Sequence, residues 1–451
     1  MLFDCRLGLI MFSREQKLLL TGQILGIMLY AFDELAINTI MPFISSDLNG
    51  DHLYGAAFSF YMIGSLISVV WAGDRLDRKG PMLPLVFAVI AFSLGLVVAS
   101  FATSMNYFVA ARFLQGVGGG ALYAVLFSLT AHCYSEAVRP KVIGLISAAW
   151  LVPAMLGPVT AGWLSDHLSW RAVFILQVPL LFVSLTTVYV GLRHFSFNST
   201  GSPARRRTMI LALVIALLVT VASLALSFGT TLNYVALALL LVATAVFGVR
   251  AISPASMRLH RAPQARLAAT RGLVHFSFYA ADVMIPLILV RQYAYSASEA
   301  GLVLVIGALG WTAASAIAAA DRARTQRREL ILIGNGLIFV GILASIVILQ
   351  LNWTPLLFAL SWVLVGAGMG LVYNCASAQL MDRAPSDQIG KTSTVASMSD
   401  AIGVVLASGL GGYLLNNLNL VSATTLLWCL ALIGCLALAL IIPSEKCFRL
   451  G

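Results

Sequence analysis

Five ionisable side chains stand inside long apolar runs of this sequence: Asp33, Glu34, Arg112, Asp282 and Asp400. Carrying such a group into lipid costs at least about 2.5–3.5 kcal/mol, so each needs a partner or a task. The chemistry open to them is narrow. A carboxylate in an apolar cavity can hold a proton and release it when a cation or an arginine approaches. Asp33 is the leading candidate for that work and for anchoring a cationic ligand; its alternative role is a permanent bridge to Arg112 that fixes helix packing. Glu34 projects about 100° away from Asp33, toward a neighbouring helix. Asp282 follows His275 on the same helical face and is a candidate second protonation or ligand site, whereas His275 alone reads as a packed histidine. Asp400 lies beside Ser397 and Ser399, which can satisfy it. Tyr30, Phe58, Tyr61, Phe278, Tyr279 and Met398 suit a pocket for bulky lipophilic cations, and ordinary helix packing accounts for any one of them singly.

The elements that must carry these groups follow from composition. Of 451 residues, 60% are hydrophobic and only 10% charged, and the mean hydropathy is +0.93. Soluble domains run near 25% charged, so lipid is the solvent for most of this chain. A soluble enzyme, a nucleic-acid-binding domain and a disordered scaffold are excluded. Runs of about 20 apolar residues fall near 17–43, 54–73, 81–102, 106–131, 141–164, 171–192, 209–228, 231–249, 271–295, 299–320, 329–351, 354–376, 390–416 and 421–443. That predicts fourteen spans, with a single kinked span across Gly229–Thr231 as the alternative for the seventh and eighth.

Charge placement tests the count, because Lys and Arg resist translocation. With the N-terminus in the cytoplasm, all but three of the 28 basic residues fall in alternate, cytoplasmic connections. Arg266 in the second linker and Arg271 at the start of the following span are counted among them. Arg171 and Arg291 are external and Arg112 is inside a helix. The net charge of +10 is thus a topology signal and an affinity for anionic lipid, not a nucleic-acid footprint. The expected organisation is a cytoplasmic tail (1–16), a six-helix bundle (17–192), a basic linker (193–208), two additional helices (209–249), a second basic linker (250–270), a second six-helix bundle (271–443) and a cytoplasmic tail (444–451). No cysteine falls in an external loop, so no disulfide framework is expected. Asn198-Ser199-Thr200 faces the cytoplasm and stays unglycosylated. The first span is too long for a cleavable signal peptide, and Met11 is a plausible start that would make residues 1–10 an extension. Neither metal-binding Cys/His spacing nor a GxxxxGK[ST] phosphate loop occurs, so no cofactor is expected.

Between the second and third spans the chain reads Gly73-Asp74-Arg75-Leu76-Asp77-Arg78-Lys79-Gly80-Pro81. This resembles the signature loop of the major facilitator superfamily, with Pro81 where a basic residue is usual. Glycine suits a tight turn, and an acid at the following helix start is favoured by the helix dipole. Arg112-Phe113-Leu114-Gln115-Gly116 is similar to the superfamily's Arg-x-x-Gln-Gly element. Gly157-Pro158-Val159-Thr160-Ala161-Gly162 resembles the Gly-Pro-x-x-Gly-Gly signature of proton-coupled exporters, and Trp170-Arg171-x-x-Phe174-x-x-Gln177-x-Pro179 its entry to helix 6. Asp33-Glu34-Leu35-Ala36-Ile37-Asn38, followed by Pro42, is similar to the Asp-x-Thr-x-x-Asn-x-x-x-Pro pattern of the 14-helix drug:proton antiporter branch.

The resemblance implies an all-α integral membrane protein of two six-helix bundles plus two extra helices. Both termini would be cytoplasmic, and the protein monomeric in the plasma (inner) membrane. It implies alternating access, with Gly73, Asp77, Arg78 and Gly80 in a conformational lock and Gln115, Gly116, Gly157, Pro158 and Gly162 in helix packing. The expected partners are a small-molecule substrate, protons and the bilayer, without nucleic acid. The expected activity is proton-driven export of lipophilic cations through Asp33, with Arg112 and Asp282. The alternatives are a transporter of one siderophore, sugar or amino acid, and a membrane-embedded enzyme or sensor. An enzyme would cluster its His, Asp or Cys at a membrane face, and the six histidines here are scattered.

Overall fold

The computed structural model describes residues 13–135, 138–193, 195, 263–320, 326–383 and 389–442. They form α1 (Arg14–Asp47), α2 (Tyr54–Lys79), α3 (Met82–Ser100), α4 (Met105–Cys133), α5 (Arg139–Ala148), α6 (Leu151–His167), α7 (Trp170–Ile175) and α8 (Gln177–Leu192). The second half holds α9 (Pro263–Asp282), α10 (Met284–Tyr293), α11 (Ala297–Ala319), α12 (Arg327–Gln350), α13 (Leu356–Asp382), α14 (Ile389–Asn417) and α15 (Leu420–Ile441). Among the described residues 12 helical stretches are long and apolar enough to cross a membrane. They coincide with all the expected spans except those at 209–228 and 231–249. These two, the Asn-Ser-Thr site, Cys5, Cys447 and most of both linkers lie outside the described residues.

Three spans are bent, and proline sets each bend. Proline lacks the N–H that would bond four residues back. Pro153, Pro179 and Pro286 free the carbonyls of Ala149, Ile175 and Asp282, and the helix is interrupted at Ala149 and just after Ile175 and Asp282. The last break falls at one of the candidate site residues. Helix starts are written locally. Ser13 and Gln16 form a capping box at α1, and Ser296 and Glu299 form another at α11.

Two sequence expectations need correction. Gly73 lies within α2, and the turn falls instead at Gly80, whose φ of 75° is the left-handed region that glycine tolerates. Asp74 and Asp77 therefore end α2 and do not begin α3, and Asp74 accepts from Arg78 at 3.0 Å. The second correction concerns the linker after residue 250. α9 begins at Pro263, so Arg266 and Arg271 are helical, and Arg271 is buried.

Each half repeats one packing device, in which glycine lets two helix backbones touch. A Cβ on Gly116 of α4 would sit 2.0 Å from the Tyr61 carbonyl of α2, and one on Gly64 2.3 Å from the Phe113 carbonyl. In the second half a Cβ on Gly366 of α13 would sit 2.1 Å from the Gly307 carbonyl of α11. Outward faces carry Leu83, Ile90, Leu156, Val183, Ile333, Val340, Leu436 and Leu440, an apolar band suited to lipid.

The two halves meet along α1, α2 and α6 of the first and α9, α10, α11 and α14 of the second. With the near face defined as the one where α1 starts and α15 ends, close contacts gather at mid-depth and the far face. A Cβ on Gly55 would lie 2.0 Å from the Ser408 carbonyl, and Ser59 bonds Ser408 at 2.9 Å. Gly162 fits against Ala297, whereas Gly157 has only an ordinary contact to Phe32. The close approach expected of the Gly157–Gly162 motif thus falls on Gly162.

Gly116→Ala is expected to cost about 1–3 kcal/mol, the range for overpacking, and to lower the thermal midpoint of the purified protein. Gly144→Ala, where a Cβ meets nothing within 4 Å, should leave the midpoint in place.

Candidate functional site

The first bundle encloses one ion pair. Arg112 of α4 donates from Nη1 to Asp33 Oδ2 at 2.9 Å and to Gln115 Oε1 at 2.8 Å. Its guanidinium lies 4.2 Å from the Tyr61 ring centroid, a cation–π contact. Asp33 and Arg112 are each 1% exposed. Among the described residues Asp33 Oδ1, Arg112 Nε, Gln115 Nε2 and the Tyr61 hydroxyl have no hydrogen-bond partner. The two charges offset one another, at a depth sealed from solvent.

The second bundle contains its own pair. Arg271 of α9 grips Asp400 of α14 with Nε, at 2.9 Å, and with Nη2. It also donates to Ser377 at 3.1 Å and to the Tyr373 hydroxyl at 3.2 Å, both on α13. This corrects the expectation for Asp400: Arg271, not Ser397 or Ser399, satisfies it, and Ser399 bonds the Val395 carbonyl. His275 joins the group, with Nδ1 2.9 Å from the Arg271 carbonyl and 3.3 Å from Asp400 Oδ1.

Glu34 and Asp282 are treated differently. Glu34 on α1 accepts from the Tyr279 hydroxyl of α9 at 3.3 Å. One turn further along α1, Asn38 donates its amide to Asp282 of α9. The result is a two-rung ladder between the bundles at mid-depth, each rung a carboxylate against a neutral donor of the opposite half. Among the described residues neither carboxylate has an ion-pair partner. Glu34, Tyr279, Tyr123, Trp150, Trp311 and Tyr373 are only partly buried, although they sit inside the bundle. Tyr30 stacks on Tyr123 at 5.3 Å and meets Trp150 edge-on at 5.7 Å; Phe278 stacks on Trp362 at 5.1 Å. Phe58 and Met398, expected in the same pocket, are buried, and Phe58 packs on Tyr54.

The far face is closed by polar contacts between halves. Arg291 of α10 donates to Asp51, with Nη1 at 2.5 Å, and to Ser45 at 3.1 Å. Asp166 at the end of α6 accepts from the backbone N–H groups of Ala297 and Ser298 at the start of α11, at 3.1 and 2.9 Å. Sequence reading missed Arg271, Tyr373, Ser377, Arg291 and Asp166. Only Arg271 carried a usable signal, since Arg271, His275, Tyr279 and Asp282 form one stripe at helical spacing. Among the described residues no group of His, Cys, Asp or Glu is arranged to hold a metal.

The family model of the Major Facilitator Superfamily matches residues 24–196 and 267–446. The chain belongs to the Major Facilitator Superfamily. The 12 membrane-length helices among the described residues accord with that family's multi-pass membrane fold. The superfamily match leaves out 197–266, the stretch between the two bundles. An uncharacterized MFS-type transporter of Mycobacterium tuberculosis is 27% identical over 378 residues, covering 79% of this chain and 53% of the relative; the chain spans about half that relative's length. A probable multidrug-efflux transporter of the same organism is 25% identical and covers 87% of this chain and 86% of its own. Multidrug resistance protein 3 of Bacillus subtilis is 26% identical, over 81% and 73% respectively. Among solved structures, a peptide transporter POT in complex with sulfate superposes with a TM-score of 0.74, at 15% identity and 96% coverage of both chains. That likeness speaks to the major facilitator fold alone.

Removing one member of a buried ion pair strands the other charge, at about 3–5 kcal/mol. Asp33→Asn should therefore lower the thermal midpoint of the purified transporter more than the paired Asp33→Leu/Arg112→Met variant, which strands nothing.

Proposed function

We propose that this transporter exports lipophilic cations in exchange for protons, by alternating access, with Glu34 and Asp282 carrying the exchanged charge. The observation behind this reading is the contrast among the buried carboxylates. Asp33 and Asp400 each hold an arginine of their own bundle, whereas Glu34 and Asp282 face the opposite bundle with no ion-pair partner among the described residues. An isolated carboxylate in an apolar interior is neutralised by a proton or by a cationic ligand. The two compete for one site, and such competition is what exchange requires. The proton-carrying role that the sequence assigned to Asp33 passes in this reading to Glu34, its neighbour, and Asp33 with Arg112 fixes α1 against α4. Aromatic faces beside Glu34 suit a delocalised organic cation. Relatives named for multidrug efflux support the substrate class.

The near face is taken as cytoplasmic. Arg14, Lys17, Arg75, Arg78, Lys79, Arg139, Lys141, Arg193, Arg327, Arg328 and Arg383 belong to helix ends and connections there, and Arg171 and Arg291 to those of the far face, as the positive-inside rule requires. Because α8 ends and α9 begins on that same face, the stretch between them holds an even number of spans. Two spans within 209–249 complete fourteen, with both termini cytoplasmic. The transporter acts as a monomer, since each half supplies one side of the ladder.

In inside-out vesicles with an acidic lumen, adding tetraphenylphosphonium should release protons from the lumen through the wild-type protein. Glu34→Gln and Asp282→Asn should each abolish that release, with the folded protein still inserted. Wild-type release from both variants would end the assignment of the ladder.

A further inference from the structure

α9 carries more than the ladder. Its residues Arg271, His275, Tyr279 and Asp282 recur at intervals of four, four and three, so they stand above one another on one face. The stripe runs from the near face to the level of Glu34. Its second member, His275, joins the Arg271–Asp400 group but has no task in the exchange described so far.

The surroundings of His275 fix its chemistry. The ring nitrogen Nδ1 has two acceptors in reach, the Arg271 carbonyl at 2.9 Å and Asp400 Oδ1 at 3.3 Å. Two acceptors require a hydrogen on Nδ1, which leaves the lone pair on Nε2. Among the described residues Nε2 has no hydrogen-bond partner. The imidazole stacks on the Tyr279 ring, with centroids 6.2 Å apart and planes 15° apart, and meets the Tyr373 ring edge-on at 5.4 Å. Its side chain is 11% exposed, so it is less sealed than the Asp33–Arg112 pair. The charged and titratable groups facing it are Arg271 and Tyr279 on its own helix, Tyr373 on α13 and Asp400 on α14; Glu34 on α1 lies beyond Tyr279.

Asp400 is held by Arg271 in two-point contact. Its remaining effect is on His275: it fixes the tautomer and stabilises a positive charge on the ring. A carboxylate that orients an imidazole in this way leaves a nitrogen poised to accept a proton, one helical turn from the Tyr279 hydroxyl that binds Glu34.

We propose that His275 is the relay that takes the proton from Glu34 to the near face, an inference that rests on the proton-exchange reading above. The O–H bond of Glu34 breaks and an N–H bond forms at His275 Nε2, by way of the Tyr279 hydroxyl and water in the gap. Asp400 offsets the imidazolium. The proton then leaves Nε2 for water on the near face, restoring the neutral ring. Tyr279 returns to its starting state because its oxygen gains one hydrogen as it gives up another. The arrangement makes His275 a rate-setting residue for proton movement and leaves substrate binding to Glu34 and Asp282.

The test compares two transport modes in proteoliposomes with tetraphenylphosphonium as the probe. Transport driven by a pH gradient requires net proton release, whereas counterflow of labelled against unlabelled probe does not. His275→Gln keeps a hydrogen-bonding side chain that cannot titrate. It should slow gradient-driven transport at least about tenfold, as expected for losing a positioned acid–base group, and leave counterflow and its half-saturation near wild type. Asp400→Asn should slow the driven mode in the same direction. Wild-type driven rates in His275→Gln overturn the relay, and so does an equal loss of counterflow, which would mark a packing role. Failure of the exchange reading looks different: wild-type protein would show no driven transport, or Glu34→Gln would retain it, and either result overturns both proposals.

Discussion

Charge cannot stand alone in an apolar interior, and this molecule answers that constraint in two distinct ways. Within each bundle an arginine and an aspartate are matched: Arg112 with Asp33, and Arg271 with Asp400. Between bundles at mid-depth only neutral donors meet carboxylates, Tyr279 on Glu34 and Asn38 on Asp282. The division has mechanical sense. In the proposed alternating-access cycle, contacts inside a bundle survive every turn, and a buried ion pair is costly to part. Contacts between bundles must break and reform, and a neutral hydrogen bond is worth only about 0.5–1.5 kcal/mol. The charged link at the far face, Arg291 with Asp51, is 32% and 56% exposed at its two side chains. Solvent screening makes such a pair worth about 0–1 kcal/mol, so it too is light enough to open.

Rigid halves are the other requirement, and glycine supplies them. Where Gly64 and Gly116 meet across α2 and α4, and Gly307 and Gly366 across α11 and α13, the backbones touch. Dispersion contact and carbonyl proximity then replace the hydrophobic drive that lipid cannot provide between helices. Arg112 and Gln115 lie directly before Gly116, so the ion pair and the closest crossing share one turn of α4. Disturbing either one moves the other. The proline bends have a complementary effect. Pro286 ends α9 at Asp282, which turns the far part of that span toward Asp51 and leaves the ladder at the elbow.

The sequence made the fold legible because a span is a statistical object. Twenty apolar residues and the sidedness of lysine and arginine suffice, and single errors wash out. Individual sites lack that protection. Arg271 was counted with the cytoplasmic connections because counting basic residues by side cannot separate an arginine at a membrane surface from one drawn a turn or two inward to meet an acid. Once Arg271 was lost, Asp400 had only serines to satisfy it. The motif holds two glycines and the sequence does not say which one turns; Gly80 has the positive φ. Glu34 ranked below Asp33 because nothing in a linear sequence tells which of two adjacent acids faces its own bundle's arginine. That distinction is geometric: a 100° step around α1 separates a sealed ion pair from an inter-bundle carboxylate.

The same step explains why the two acids are adjacent. Asp33 fixes the rotation of α1 by binding Arg112 of α4, and rotation decides where Glu34 points. A helix turned by about 100° would bring Glu34 to the place Asp33 holds, where Arg112 would neutralise it. With Asp33 occupying that arginine, Glu34 is held toward Tyr279 and Asn38, one turn on, toward Asp282. The buried ion pair thus acts on the ladder without touching it. The second bundle is built alike: Arg271 bound to Asp400 sets the rotation of α9, and with it the direction of His275, Tyr279 and Asp282. Each bundle fixes its own helix with a charge pair and presents the remaining polar groups of that helix to the other, so alignment across the gap depends on order within each half.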